Sequence, residues 1–295
     1  MSAPERAKTV RPDILTRIVE HKLIEVEEAK RQISEAELRK AAEKPRGRRP
    51  FLKRLSSPGP SGANIISEIK RGSPSKGLMR EDLDAAATAA AYERGGAAAL
   101  SVLTDRAFFF GSAEDLHAAR GATKLPALRK DFIVSTYQIY ESAAMGADAV
   151  LLIVRVLTPA FLKACLDLCG ELELDALVEV HALPELEVAS AAGAQLVGIN
   201  NRDLRTFQTD IATSLELARH RSPGQVLVAE SGIQGRDQIE KLLQAGIHNF
   251  LIGESLVRAG DTESFLAHLL GRKQGRIQEL MGAQSEINPL KTKTP

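Results

Sequence analysis

Hydrophobic positions along this 295-residue chain follow two patterns that meet near residue 60. In the first, Leu15, Ile18, Val19, Leu23 and Val26 recur at helical spacing behind Pro12 and Asp13, which suit a helix start. Ser34 with Glu37 makes a capping box ahead of Leu38, so a second helix is predicted there. It runs out in the basic, breaker-rich stretch Lys44-Pro45-Arg46-Gly47-Arg48-Arg49-Pro50, and another loop follows over Ser56-Ser57-Pro58-Gly59-Pro60-Ser61-Gly62. No aromatic residues interleave with the basic ones, so the stretch reads as a solvated connector rather than a nucleic-acid arm.

From Asn64 the pattern changes. Four times a small-residue helix end meets a Gly and then a β-rich apolar run: before Ala97–Leu103, Ala147–Val154, Gln195–Ile199 and Asn249–Ile252. A Gly just past a helix takes the left-handed conformation that ends it, and the chain returns to a sheet. The runs are continuous instead of alternating, as parallel strands covered on both faces require. Strand starts are predicted near Asn64, Ala98, Pro126, Asp148, Asp175, Gln195, Gln225 and His248, each followed by a helical pattern. Eight such units predict an α/β fold, a (β/α)8 TIM barrel over residues 63–270. Residues 1–62 are then an N-terminal helical extension and linker, and residues 271–295 a polar C-terminal tail. A doubly wound sheet is the rival, but it would want a glycine-rich phosphate loop after its first strand, and neither G-x-G-x-x-G nor a P-loop motif occurs.

Composition narrows the function classes. An apolar fraction of 44% supplies a large core and excludes a disordered chain. The net charge of +1 argues against a global grip on nucleic acid. That balance is uneven: residues 1–60 carry +6 and the rest −5, so the two parts differ in role or surroundings. Cys165 and Cys169 lie at i, i+4 in an apolar helical stretch and lack metal spacing, so buried reduced thiols, a cytoplasmic location and no metal site are expected. The most apolar strand-like stretch, Ala149–Val154, is far too short to span a membrane. Glu5 and the lack of an apolar h-region argue against a signal peptide.

In such a barrel the active site lies at the C-terminal ends of the strands, where charges interrupt apolar runs. Glu68 and Lys70 close the first strand and, two apart, point to one face. A donor-rich loop, Arg71-Gly72-Ser73-Pro74-Ser75-Lys76-Gly77, follows them. Arg129-Lys130-Asp131-Phe132 ends the third strand, Glu179-Val180-His181 the fifth and Asn200-Asn201-Arg202-Asp203 the sixth. Each alone has a structural reading, but charge or amide in phase at successive strand ends is hard to explain by packing. After strands seven and eight come Ala229-Glu230-Ser231-Gly232-Ile233 and Ile252-Gly253-Glu254-Ser255. Small residues there let backbone N–H groups close on an anion, so a phosphorylated small molecule is the implied ligand. The cluster Phe108-Phe109-Phe110 sits where it could wall an aromatic pocket. His181 is near the rim, but the sequence offers it no triad partner.

These motifs resemble indole-3-glycerol-phosphate synthases, enzymes of tryptophan biosynthesis. The likeness is carried by ISEIKRGSPSKG (Ile66–Gly77), LSVLTDRAFFFGS (Leu100–Ser112), LRKDFIVSTYQIYE (Leu128–Glu141), Val178–His181, GINNRDL (Gly198–Leu204) and Ala229–Ile233, and extends from Asp13 to about Leu269. What it implies is conversion of 1-(2-carboxyphenylamino)-1-deoxyribulose 5-phosphate to indole-3-glycerol phosphate, with release of CO2 and water and without cofactor or metal. By the same resemblance Lys130 is the general acid, and Lys70, Glu68 and Glu179 serve the later proton transfers. Asn200, Arg202 and Glu230 contact substrate, and Phe132, Leu152 and Phe109 enclose its ring. Ser73, Ser231, Gly232, Gly253 and Glu254 hold the phosphate, Glu254 mainly through its backbone N–H. The chain departs from the family pattern at Gly72, Phe110 and Ala229. Partners are limited to the substrate, with a monomer or weak homodimer expected. Two other readings stay open at this stage: a Schiff-base lysine at Lys70 or Lys130, as in class I aldolases, and a non-catalytic phosphate-binding barrel.

Overall fold

A computed structural model describes residues 13–45, 47–203 and 206–272; Pro12, Arg46, Leu204 and the tail from Lys273 lie outside them. Helix α1 (Ile14–Gln32) starts at Asp13, whose Oδ1 accepts from Thr16 N at 2.8 Å. Its buried stripe is Leu15, Ile18, Lys22 and Val26, whereas Leu23 is 50% exposed. The predicted stripe is therefore rotated: Lys22 is inside and Leu23 is out. The cause is charge. Lys22 Nζ meets Asp105 Oδ2 at 2.9 Å, Asp131 Oδ1 at 3.0 Å and Glu25 Oε2 at 2.5 Å, and such pairing is what allows an ammonium to be buried. Helix α2 (Glu35–Ala42) carries the expected capping box, Ser34 N donating to Glu37 Oε2 at 3.0 Å. A short helix α3 (Phe51–Leu55) follows.

Eight parallel strands then close into a barrel: β1 (Asn64–Ile69), β2 (Ala99–Leu103), β3 (Ala127–Lys130), β4 (Ala149–Ile153), β5 (Asp175–Val180), β6 (Leu196–Asn200), β7 (Val226–Glu230) and β8 (Asn249–Ile252). Every start lies within one residue of its sequence expectation. Each strand pairs with its chain neighbour, and β8 returns to β1 with Asn249 opposite Asn64. Helices α4 (Ala85–Gly95), α5 (Ala113–Ala122), α6 (Thr136–Ala144), α7 (Pro159–Glu171), α8 (Leu183–Ala191), α9 (Ala212–Leu217), α10 (Arg236–Gln244), α11 (Glu254–Arg258) and α12 (Thr262–Leu269) form the outer layer. The four predicted turn glycines, Gly96, Gly146, Gly193 and Gly246, all have positive φ. Alternate residues of each strand face inward, so Ile66, Leu128, Leu151, Val228 and Leu251 fill the interior while their neighbours pack beneath the helices.

The segment before β1 closes the foot of this barrel. Phe51 and Leu55 are fully buried in the interior cluster. Arg49 N donates to Asp148 Oδ1 at 2.8 Å, its guanidinium reaches the Leu125 and Arg120 carbonyls, and Arg48 pairs with Asp175 at 3.3 Å. The connector is exposed at Lys44, Pro45, Gly47, Arg48 and Pro50, as a solvated one should be, yet it is also anchored: the Arg49 backbone on Asp148 and the Arg48 side chain on Asp175, at the N-terminal ends of β4 and β5. Among the described residues no helix is long and apolar enough to cross a membrane.

Truncating the plug separates stability from chemistry. Phe51→Ala is expected to cost about 3–5 kcal/mol, the usual range for emptying a buried phenylalanine site. Urea denaturation measures the loss, while the turnover of the still-folded fraction should stay unchanged, because the plug is at the end of the barrel away from the strand C-termini.

Candidate active site

At the C-terminal ends of the strands opens a cavity of about 900 Å³. The charged strand ends converge on it because β1, β3, β5, β6 and β7 end in phase. The register sets Lys130 beside Leu103, Glu179 beside Gly198 and Asn200 beside Glu230. Lys130 Nζ lies 2.7 Å from Glu230 Oε2 and 3.2 Å from Glu179 Oε2. Lys70 Nζ lies 2.6 Å from Glu68 Oε1.

Burial and charge set the protonation of this cluster. Burial alone would discharge Lys130, but the facing carboxylates of Glu230, Glu179 and Glu68 drive its pKa far above the ordinary lysine value. Burial also pushes Glu179 up, but the Lys130 charge, with hydrogen bonds from Asn200 and Lys130, outweighs it and leaves its carboxyl below the usual range. Glu230 behaves oppositely: burial and the Glu179 and Glu68 charges exceed the pull of Lys130 and raise it to about 7. The site therefore holds an ammonium, an ionised carboxylate and a carboxyl that titrates near neutrality, all in contact. Glu230 was expected only to touch substrate; its bond to Lys130 makes it part of the acid–base group. What admits it is Gly198, where a Cβ would stand 2.0 Å from Glu230 Oε1. Gly253 does the same for Glu68, whose Oε1 would be 2.2 Å from a Cβ there.

The polar half of the cavity carries Ser73, Asn200, Arg202, Ser231, Gly232, Gly253 and Glu254. Ser231 and Gly232 have positive φ, and Ser255 Oγ donates to the Ile233 carbonyl at 2.8 Å, joining the loops after β7 and β8. Arg202 donates to the Phe207 carbonyl at 3.0 Å and reaches Glu254 Oε2 at 3.4 Å. The Glu254 carboxylate is also held by Arg258 at 2.9 Å, which leaves its backbone as the part available to an anion.

Aromatic residues also line the cavity. Phe109 and Phe132 pack with ring centroids 5.9 Å apart. Asp105 Oδ1 accepts from Phe108 N at 2.7 Å and Phe109 N at 3.2 Å; Asp131 Oδ1 accepts from Phe132 N at 2.8 Å. Lys22 bridges those two aspartates, an element that hydrophobic patterning missed. Ile14, Leu15 and Ile18 of α1 also line the cavity. Leu152 does not: it points outward beneath the helices, fully buried, and its neighbours Leu151 and Ile153 face the cavity. Alternation along β4 dictates that correction. Phe110 is 42% exposed and does not line the cavity. Cys165 and Cys169 are buried and free, and burial pushes Cys165 up to about 12.

A closed (β/α)8 barrel with a lysine–carboxylate cluster at its strand ends and two glycine loops beside it defines a class, barrel enzymes whose acid–base groups act at the C-terminal face. The sequence pattern of the family described as indole-3-glycerol phosphate synthase matches residues 15–269, and the chain belongs to that family. It is 60% identical over 259 residues to the indole-3-glycerol phosphate synthase of Syntrophobacter fumaroxidans, covering 88% of this chain and 98% of that one. To the enzyme of that description from Desulfosudis oleivorans it is 56% identical over 259 residues, with the same coverage of 88% and 98%. Among solved structures, 3-hexulose-6-phosphate synthase from Salmonella typhimurium superposes with a TM-score of 0.56 at 12% identity, over 70% of this chain and 97% of that one; this likeness speaks for the fold alone.

Gly198→Ala tests the packing of the cluster. A methyl there would push Glu230 off Lys130, and a displacement of about 1 Å at a reacting group can cost on the order of a hundredfold in rate. Turnover followed by the fluorescence of an indole product should fall by that order, with the barrel still folded by circular dichroism.

Proposed function

We propose that this chain closes, decarboxylates and dehydrates 1-(2-carboxyphenylamino)-1-deoxyribulose 5-phosphate to indole-3-glycerol phosphate with its own side chains and without metal or cofactor. The observation that carries the reading is Lys130 Nζ, largely buried and held between Glu230 and Glu179 inside the cavity. Such an ammonium is pre-charged and aimed, so it can donate a proton to the ketone oxygen as the ring carbon bearing the carboxylate attacks. Loss of CO2 then restores the aromatic ring. Departure of the new hydroxyl needs a second proton, and the adjacent methylene must give one up.

Glu179, ionised beside Lys130, suits the base of that last step. Lys70, paired with Glu68, is assigned to the substrate carboxylate and to the proton for the leaving hydroxyl. Glu230 recharges Lys130 across 2.7 Å. Asn200 and Arg202 orient the sugar chain. Ser73 with Ser231, Gly232, Gly253 and the Glu254 backbone takes the phosphate, and Phe109 and Phe132 enclose the aromatic ring. The reading places the reaction in the barrel, residues 63–270, with residues 1–62 as an N-terminal extension, in the cytoplasm, and in a monomer or weak homodimer.

An indole-fluorescence assay on that substrate decides the reading, and absence of turnover by purified protein would sink it. Lys130→Ala should lower kcat by at least about a hundredfold, the scale for losing a general acid; wild-type turnover in that variant would instead remove Lys130 from its role. The pH dependence has a defined sign. Glu230 loses its proton as pH rises through about 7, so recharging of Lys130 weakens on the alkaline side. Turnover measured from acid to alkaline pH should decline above that point, and Glu230→Gln, which cannot titrate, should lower the plateau and abolish that limb.

A further inference from the structure

The dehydration step raises the question of where the methylene proton goes after Glu179 has taken it. Glu179 is hemmed in by Lys130, already an ammonium, and by bound substrate. Beside it stands His181, two residues along and just past the end of β5. The His181 side chain is 5% exposed and does not line the cavity. Its Nδ1 lies 3.2 Å from Glu185 Oε2 of α8, which also accepts from His181 N at 2.7 Å. Arg155, which reaches the surface, holds the other oxygen, Glu185 Oε1, at 2.8 Å. The ring is thereby oriented with Nε2 toward Glu179 Oε1, 3.5 Å away. That buried Nε2 has no hydrogen-bond partner among the described residues. A buried polar atom in that state calls for an explanation, and contacts that work in catalysis are often long in the empty site.

We infer that His181 is a relay residue that receives the methylene proton from Glu179 during dehydration and holds it until product leaves, with Glu185 as its orienting partner. The inference rests on the role proposed above for Glu179. In bonds, the methylene C–H breaks and an O–H forms on Glu179; that O–H then breaks and an N–H forms on His181 Nε2. The electron pair left on carbon completes the indole double bond as the hydroxyl departs with a proton from Lys70. The imidazolium faces Glu179 of β5 and Glu185 of α8, with Lys130 of β3 and Arg155 beyond them. Glu185 suits an anionic partner: burial pushes its carboxyl up, but hydrogen bonds from His181 and Arg155 bring it down to about 2. Once product has left, the His181 proton returns through Glu179 to water entering the cavity, and Lys70 takes a proton from that water, which resets the site.

His181→Gln keeps a polar side chain of similar reach but cannot hold the proton. In quenched single-turnover reactions read by mass spectrometry, it should slow the last step about tenfold or more. A decarboxylated species one water heavier than the product should then accumulate, with substrate consumption less affected. Added imidazole should restore the last step in His181→Gly. Glu185→Gln, which spares the ring, should show the same accumulation more weakly and carries the test if the histidine variants do not fold. A wild-type time course in His181→Gln, or slower consumption with no heavier species, would overturn the relay. Failure of the functional reading looks different: the wild-type protein itself would not consume the substrate.

Discussion

One ammonium among three carboxylates governs the mouth of this barrel. Lys130 and Lys70 bring two positive charges, and Glu68, Glu179 and Glu230 bring three negative ones, into a space that largely excludes water. Taking such charges out of water is costly unless they pair closely. Pairing satisfies two of the carboxylates, and the third has no cation of its own. The shift of Glu230 to about 7 is the consequence: the surplus charge is neutralised by a proton at the most buried member. Close pairing in turn demands close backbone approach. Gly198, within β6, and Gly253, just past β8, leave the space into which Glu230 and Glu68 fit, so these two glycines are as necessary to the cluster as its acids.

The N-terminal extension is bound into the same electrostatic arrangement. Lys22 reaches from α1 to Asp105 and Asp131, and those carboxylates receive the backbone N–H groups of the residues that form the aromatic wall. Arg129 grips Asp131 from the other side at 3.1 Å and Glu141 at 2.7 Å, so the strand residue before Lys130 is anchored as well. Helix α1 thus does more than cover apolar surface. Its cation joins two βα loops, and its apolar residues complete one wall of the cavity. At the opposite end α3 fills the barrel foot, so a single segment of chain secures both openings.

How much of this was legible follows from the range of each interaction. Strand starts could be read because continuous apolar runs preceded by a left-handed glycine are local signals. The acid–base residues could be read because a charge ending such a run stands out, and a spacing of two keeps Glu68 and Lys70 on one face. Leu152 could not be placed: Ala149–Ile153 is apolar throughout, so the run carries no phase, and only the register with β5 sets Leu151 and Ile153 inward. Lys22 was invisible because the two aspartates it bridges, Asp105 and Asp131, lie far along the chain, and Arg49 because its acceptors belong to distant strand ends. Glu185, likewise, became a partner for His181 only once the turn into α8 was seen.

The departures from the family pattern are resolved by packing. At Gly72 a Cβ would lie 2.6 Å from the Phe110 ring and 2.5 Å from the Gly77 carbonyl oxygen. Gly72 pairs with Leu78 in a small hairpin that carries Ser73 to the cavity, and Phe110 leans on that hairpin from the loop after β2 with a positive φ of 59°. The aromatic residue at position 110 therefore needs the glycine at position 72. The Phe110 ring takes the volume that a side chain at position 72 would occupy and packs against the hairpin backbone. Ala229 is buried on the outer face of β7, beneath the helices, while its neighbour Glu230 points inward. Its substitution is felt between strand and helix and leaves the charge cluster intact. Gly72 and Phe110 thus fit one another and Ala229 stands apart from them, and none of the three takes part in the charge pairing at the barrel mouth.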